Sequence, residues 1–188
     1  MPDELPGEML SLLLPLHYFY AKEGIGLPAI ELLAGEELPE PQQALLVHDR
    51  DMTSTLKKFH GVDVALEVLT HERSEDYLMR MVVLRNAETG APIEFGALGV
   101  RLEKFEGPIR EAITEGRGPL GGLLEQYVID YRSSPKSYFG VAADRHIARA
   151  LETPVGTELY GRCNELTDPE GFAFADIVEV LPSQGAER

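Results

Sequence analysis

Apolar and polar residues alternate with period two along several stretches of the chain, and that alternation marks strands with one buried face. Residues 62–69 place Val62, Val64, Leu66 and Val68 on one side. The stretches 77–84 and 93–102 repeat the pattern, with a turn at 86–90 (Asn-Ala-Glu-Thr-Gly) that makes them a hairpin. The stretches 157–166 and 172–181 flank a second hairpin turn at 168–171 (Asp-Pro-Glu-Gly). A short strand is expected at 139–141.

Between the strands the period changes to that of helices. Residues 51–61 form a short helix, capped by Asp51 or Thr53, with Leu56 and Phe59 on one face and Gly61 as the stop. Pro108 suits the first turn of a helix over 108–114. A further helix is expected over 120–127. Another spans 144–151, capped by Asp144, with Ile147 and Leu151 facing inward as a packing element. Residues 45–47 are a short apolar run. The apolar stretch 9–20 carries Pro15 and His17 and is too short to span a bilayer. No basic residue precedes it, so it reads as a core segment and not an export signal. Residues 1–40 form an N-terminal arm packed on a body made of 41–188. The fold class expected is α+β, a mostly antiparallel β-sheet with helices packed on one face.

Composition narrows what such a fold can do. The chain has 188 residues, 44% of them hydrophobic and 26% charged, which suits one folded domain with a real core. Seventeen basic against 32 acidic residues give a net charge of −15. That charge repels nucleic acid and anionic membranes, so neither is expected as a partner. An anionic ligand would need a site built locally from arginine. Cys163 has no partner for an internal disulfide, and a reducing compartment, the cytoplasm, is expected. As a nucleophile Cys163 would need a neighbouring base, so it reads as a structural thiol. His17, His48, His60, His71 and His146 form no metal-spaced pair, so no metal is expected. The run 118–122 (Gly-Pro-Leu-Gly-Gly) lacks the Lys-Ser/Thr of a phosphate loop.

Two charges break the alternation. Arg80 shares a strand face with Leu78, Val82 and Leu84, and Glu179 lies between Ile177 and Leu181. A lone charge on an apolar face needs a partner when buried. Two readings follow. Either Arg80 and Glu179 pair structurally or sit on half-exposed faces, or they line a pocket with one cation and one carboxylate, suited to a small anion.

Four stretches, in order, resemble the chorismate pyruvate-lyase family over about residues 44–182. They are 51–53 (Asp-Met-Thr) with Gly61; 77–84 around Arg80; 118–124 (Gly-Pro-Leu-Gly-Gly-Leu-Leu); and 159–162 (Leu-Tyr-Gly-Arg) followed by 177–182 around Glu179. The resemblance implies a cofactor-free lyase that eliminates pyruvate from chorismate to leave 4-hydroxybenzoate. Arg80 would clamp the ring carboxylate and Glu179 would contact the ring hydroxyl and assist proton movement, as the catalytic pair. Met52, Thr53, Leu120 and Gly121 would close the substrate site, and Arg132 or Arg162 would hold the second carboxylate. A family arginine is replaced here by Ala97, with Arg101 or Arg85 as candidates to compensate. The alternative is a module of the same fold that binds an aromatic acid and senses it without turnover. Either way the expected partner is a small aromatic or cyclohexadienyl carboxylate.

Overall fold

The protein is described from a computed structural model over residues 7–183. Seven strands form one sheet: β1 (Ile30–Leu33), β2 (Val64–Arg73), β3 (Tyr77–Asn86), β4 (Pro92–Arg101), β5 (Arg132–Ala142), β6 (Glu158–Thr167) and β7 (Ala173–Leu181). Their order is β1-β5-β6-β7-β4-β3-β2, and every neighbouring pair is antiparallel. The fold is therefore α+β with an open antiparallel sheet, the class the alternation predicts.

Seven helices cover this sheet: α1 (Gly7–Leu12), α2 (Leu14–Lys22), α3 (Gln42–Leu46), α4 (Met52–His60), α5 (Pro108–Glu115), α6 (Leu120–Gln126) and α7 (Arg145–Ala150). The helical layer expected on one face consists of α3 to α6, and the opposite face is covered as well. There Met79, Met81, Val83, Phe95 and Val178 pack under Leu13, Leu16 and Phe19 of the N-terminal helices and Ile147 of α7. The physical reason lies in the central strands. β3 and β4 are buried on both faces over most of their length, so an apolar cover is needed on each. The expected core segment at 9–20 supplies that second cover.

Local signals account for the ends of α4. Asp51, not Thr53, is its cap: the carboxylate accepts from the Ser54 amide at 2.8 Å. Gly61 ends the helix in the left-handed conformation, φ 68°. In the sheet, Gly161 of β6 lies between Phe139 of β5 and Val180 of β7. A methyl group there would press into the Glu179 carbonyl and the Phe139 ring. Gly161→Ala is expected to destabilise the fold by about 3 kcal/mol, the upper range of overpacking, in urea or thermal denaturation. Asp51→Ala should cost about 1 kcal/mol by the same measurement.

Candidate ligand-binding site

Antiparallel register places the charged residues of the sheet in two adjoining cross-strand rows on one face. One row runs Asn164, Ile177, Leu98, Arg80 across β6, β7, β4 and β3. The next runs Arg162, Glu179, Gly96, Val82. Glu94 follows two residues beyond Gly96 on β4, opposite Leu84. Helices α4 and α6 close over these rows and leave a cavity of about 50 Å³. Its sheet wall carries Arg80, Glu94, Glu179 and Asn164 among apolar side chains. Its helical wall is Asp51, Met52 and Thr53 from the start of α4, with Pro119, Leu120 and Gly121 from the start of α6.

Gly121 is what lets the two helix starts meet. A methyl group there would stand 2.8 Å from the Asp51 carboxylate and 3.1 Å from the Thr53 hydroxyl. The remaining predicted contact residues divide. Met52, Thr53, Leu120 and Gly121 line the cavity with Arg80 and Glu179. Arg132 is exposed at the outer end of β5. Arg162 lies next to Glu179 but is fully buried behind it, 0% exposed. Arg85 pairs with Glu67 and Glu152, and Arg101 is exposed beside Phe172. Ala97 faces the opposite core.

The partner of Glu179 is Arg162, not Arg80. The Arg162 Nε donates to the Glu179 carboxylate. Its Nη1 donates to the carbonyls of Leu46 at 3.1 Å and His48 at 3.0 Å, and Nη2 donates to that of Arg50 at 3.2 Å. This guanidinium is thus spent on the protein itself. It holds the segment between α3 and α4 against the sheet, and so fixes where α4 starts. His48 sits in the same segment: its Nε2 donates to the Leu45 carbonyl at 2.7 Å and its Nδ1 accepts from the Arg50 amide at 3.1 Å. Burial and the neighbouring Arg162 charge hold its pKa below the ordinary value.

Arg80 is in a different position. It is 2% exposed, and Nη1 donates to the carbonyl of Ile113 at 3.1 Å, in the last turn of α5. Its Nε is buried with no partner, and among the described residues no carboxylate pairs with it. Burial without a counter-charge pushes its pKa down to about 10. Glu94 is a second unmatched group lining this cavity. It is 4% exposed, and its Oε2 is buried with no hydrogen-bond partner. Burial first, and then the Glu179 charge, push its pKa well above the carboxylate range, against the opposing pull of Arg162. Glu94 and Asn164 were not singled out in the sequence. Glu94 shares its strand face with Gly96, Leu98 and Val100, so the signal that picked Arg80 and Glu179 was present for it as well.

No protein-family model matches the sequence, and no curated protein matches it either. Solved structures do match. The ligand-binding domain of a putative GntR-family transcriptional regulator from Bordetella bronchiseptica superposes with a TM-score of 0.51 at 17% identity, over 65% of this chain and 86% of that one. The effector domain of PhnF from Mycobacterium smegmatis gives 0.55 at 13% identity, over 71% and 88%. PhnF from the same organism gives 0.56 at 12%, over 90% and 94%. The shared feature is the fold. It is the chorismate lyase-like fold of GntR-family effector domains. The expectation of an enzyme is corrected by this finding: the matching structures are described as the ligand-binding domain of a putative transcriptional regulator and as an effector domain, and none of the three as an enzyme. The specific lyase family is not confirmed. Among the described residues, no helix is long and apolar enough to cross a membrane.

Two consequences are measurable in denaturation experiments. Arg162→Met strands Glu179 as a buried unpaired charge and should cost about 3–5 kcal/mol, whereas Arg80→Met removes an unmatched charge and should leave stability equal or higher. The second is a pH dependence. The raised Glu94 pKa means that its stability contribution is full below its ordinary value of 4.5 and is lost as pH rises through the folded-state value. Glu94→Gln should flatten that decline in a urea series run from acid to neutral pH.

Proposed function

We propose that the chain is a non-catalytic sensing module that binds a small organic acid in the cavity between the sheet and helices α4 and α6. The observation that carries this reading is Arg80: a buried guanidinium that lines the cavity, with a free Nε and, among the described residues, no carboxylate paired with it. A ligand carboxylate is the group that matches it, through a charge-assisted and geometrically fixed pair. Val82, Leu98, Leu120 and Ile177 supply an apolar wall for the ligand body. The aromatic acid suggested by the sequence remains the first class to test. A cavity of about 50 Å³ is well below the several hundred Å³ usual for ligand sites, so a ring needs the α4–α6 wall to move outward. In this reading residues 41–188 are the binding domain, residues 1–40 an arm packed on it, and the compartment the cytoplasm; residues 1–6 and 184–188 of these two parts lie outside the described residues.

The fold neighbours described as ligand-binding and effector domains support the sensor reading. So does the engagement of Glu179 by Arg162, which takes up the carboxylate that a lyase would turn toward substrate. The test is a thermal-shift and calorimetric panel of short-chain, benzoic and 4-hydroxybenzoic acids. A raised Tm with binding by at least one acid, lost by about 30-fold or more in Arg80→Ala, is expected. Acid binding that survives in Arg80→Ala, or pyruvate release from chorismate, overturns the reading.

A further inference from the structure

The inner end of the cavity holds a second unmatched group, and its surroundings constrain what a ligand can carry there. Gly96 has no side chain, and the Glu94 carboxyl leans over it: a methyl group at Gly96 would lie 3.3 Å from Glu94 Oε1. Gly96 is also the cross-strand neighbour of Glu179. The two carboxyl groups therefore share one end of the cavity. Arg80 belongs to the other end. It stands beside Leu98, and Glu94 lies four residues along the same strand, about 14 Å of extended backbone. The charged groups around Glu94 are Glu179 on β7, Arg162 on β6 and Asp51 at the start of α4. Arg162 is committed to Glu179 and three carbonyls, with His48 against it, and Asp51 is committed to capping α4. None of them offers a cation to a ligand. The cavity thus presents an unpaired guanidinium at one end and, at the other, a carboxylate beside a carboxyl whose Oε2 has no partner.

Resting on the sensor reading, we propose that Glu94 is a specificity-determining residue that makes the site selective for monoanions. It offers a neutral hydrogen-bonding carboxyl to an uncharged polar group on the ligand, and the Glu179 carboxylate beside it opposes a second negative charge. A dicarboxylate that places one charge on Arg80 sets the other against the Glu179 carboxylate, and like charges brought together in a dry site weaken binding. Its monoamide has the same shape and lacks that charge.

The test compares each dicarboxylate with its own monoamide, using succinate with succinamate and terephthalate with 4-carbamoylbenzoate. Calorimetry at neutral pH on the wild-type protein should show the monoamide bound about 100-fold or more tightly than its parent in the pair that fits. In Glu94→Leu that ratio should fall to within about tenfold, because the monoamide loses its hydrogen-bond partner while the Glu179 charge still opposes the dicarboxylate. An infrared difference spectrum of wild type minus Glu94→Gln should show the C=O stretch of a protonated carboxyl at neutral pH without any ligand. Equal wild-type affinity for parent and monoamide overturns the proposal while leaving the sensor reading intact. So does a ratio unchanged in Glu94→Leu, or a missing C=O band. Binding of no acid by a folded wild-type protein overturns the sensor reading, and the selectivity proposal with it, whatever the infrared result.

Discussion

A guanidinium taken out of water must give its five N–H groups to acceptors, and the two buried arginines of this sheet meet that demand in opposite ways. Arg162 gives four of its five N–H groups to Glu179 and the carbonyls of Leu46, His48 and Arg50. That network ties the segment before α4 to β6 and β7, and Asp51 then begins α4 at a fixed place over the sheet. The cavity exists because this anchor sets the helical wall. Arg80, two strands away from Glu179, receives one carbonyl at the end of α5 and nothing more from the protein. The same residue type thus builds the site in one position and is left available in the other.

An unmatched buried charge costs stability, and native folds retain such costs mainly where function requires them. Arg80 is such a charge, and in the same cavity lies an unmatched polar group of opposite chemical character, the Glu94 carboxyl. Arg80 calls for an anion. Glu94, its pKa raised by burial and by Glu179, is held toward the neutral acid and calls for a hydrogen bond instead. A ligand that meets both demands removes both costs at once, which is how a binding site gains affinity beyond its buried area.

Much of this was legible in the sequence because strict alternation reports which face of a strand is buried. Arg80 and Glu179 stood out as charges among apolar neighbours, and the structure brings both to one cavity wall. Glu94 carried the same signal beside Gly96 and Leu98 but was passed over. The pairing of Glu179 was not legible: three of the acceptors that hold Arg162 lie more than 100 residues away in sequence, in a segment with no regular period. β1 was missed because its four residues are only half covered at an edge of the sheet. The first half of β5 was missed because 132–137 (Arg-Ser-Ser-Pro-Lys-Ser) is polar, with a register shift between Pro135 and Ser137. The second cover of the sheet was visible as an apolar run at 9–20, but alternation cannot say that central strands are buried on both sides.

The central claim is that Arg80 awaits the carboxylate of a ligand. The most direct measurement is a crystal structure of the protein with the tightest-binding acid of the panel. The account predicts a ligand carboxylate oxygen within about 3 Å of the Arg80 Nε, inside the cavity under α4 and α6. An acid bound elsewhere, or seated in the cavity with its carboxylate turned away from Arg80, would contradict it.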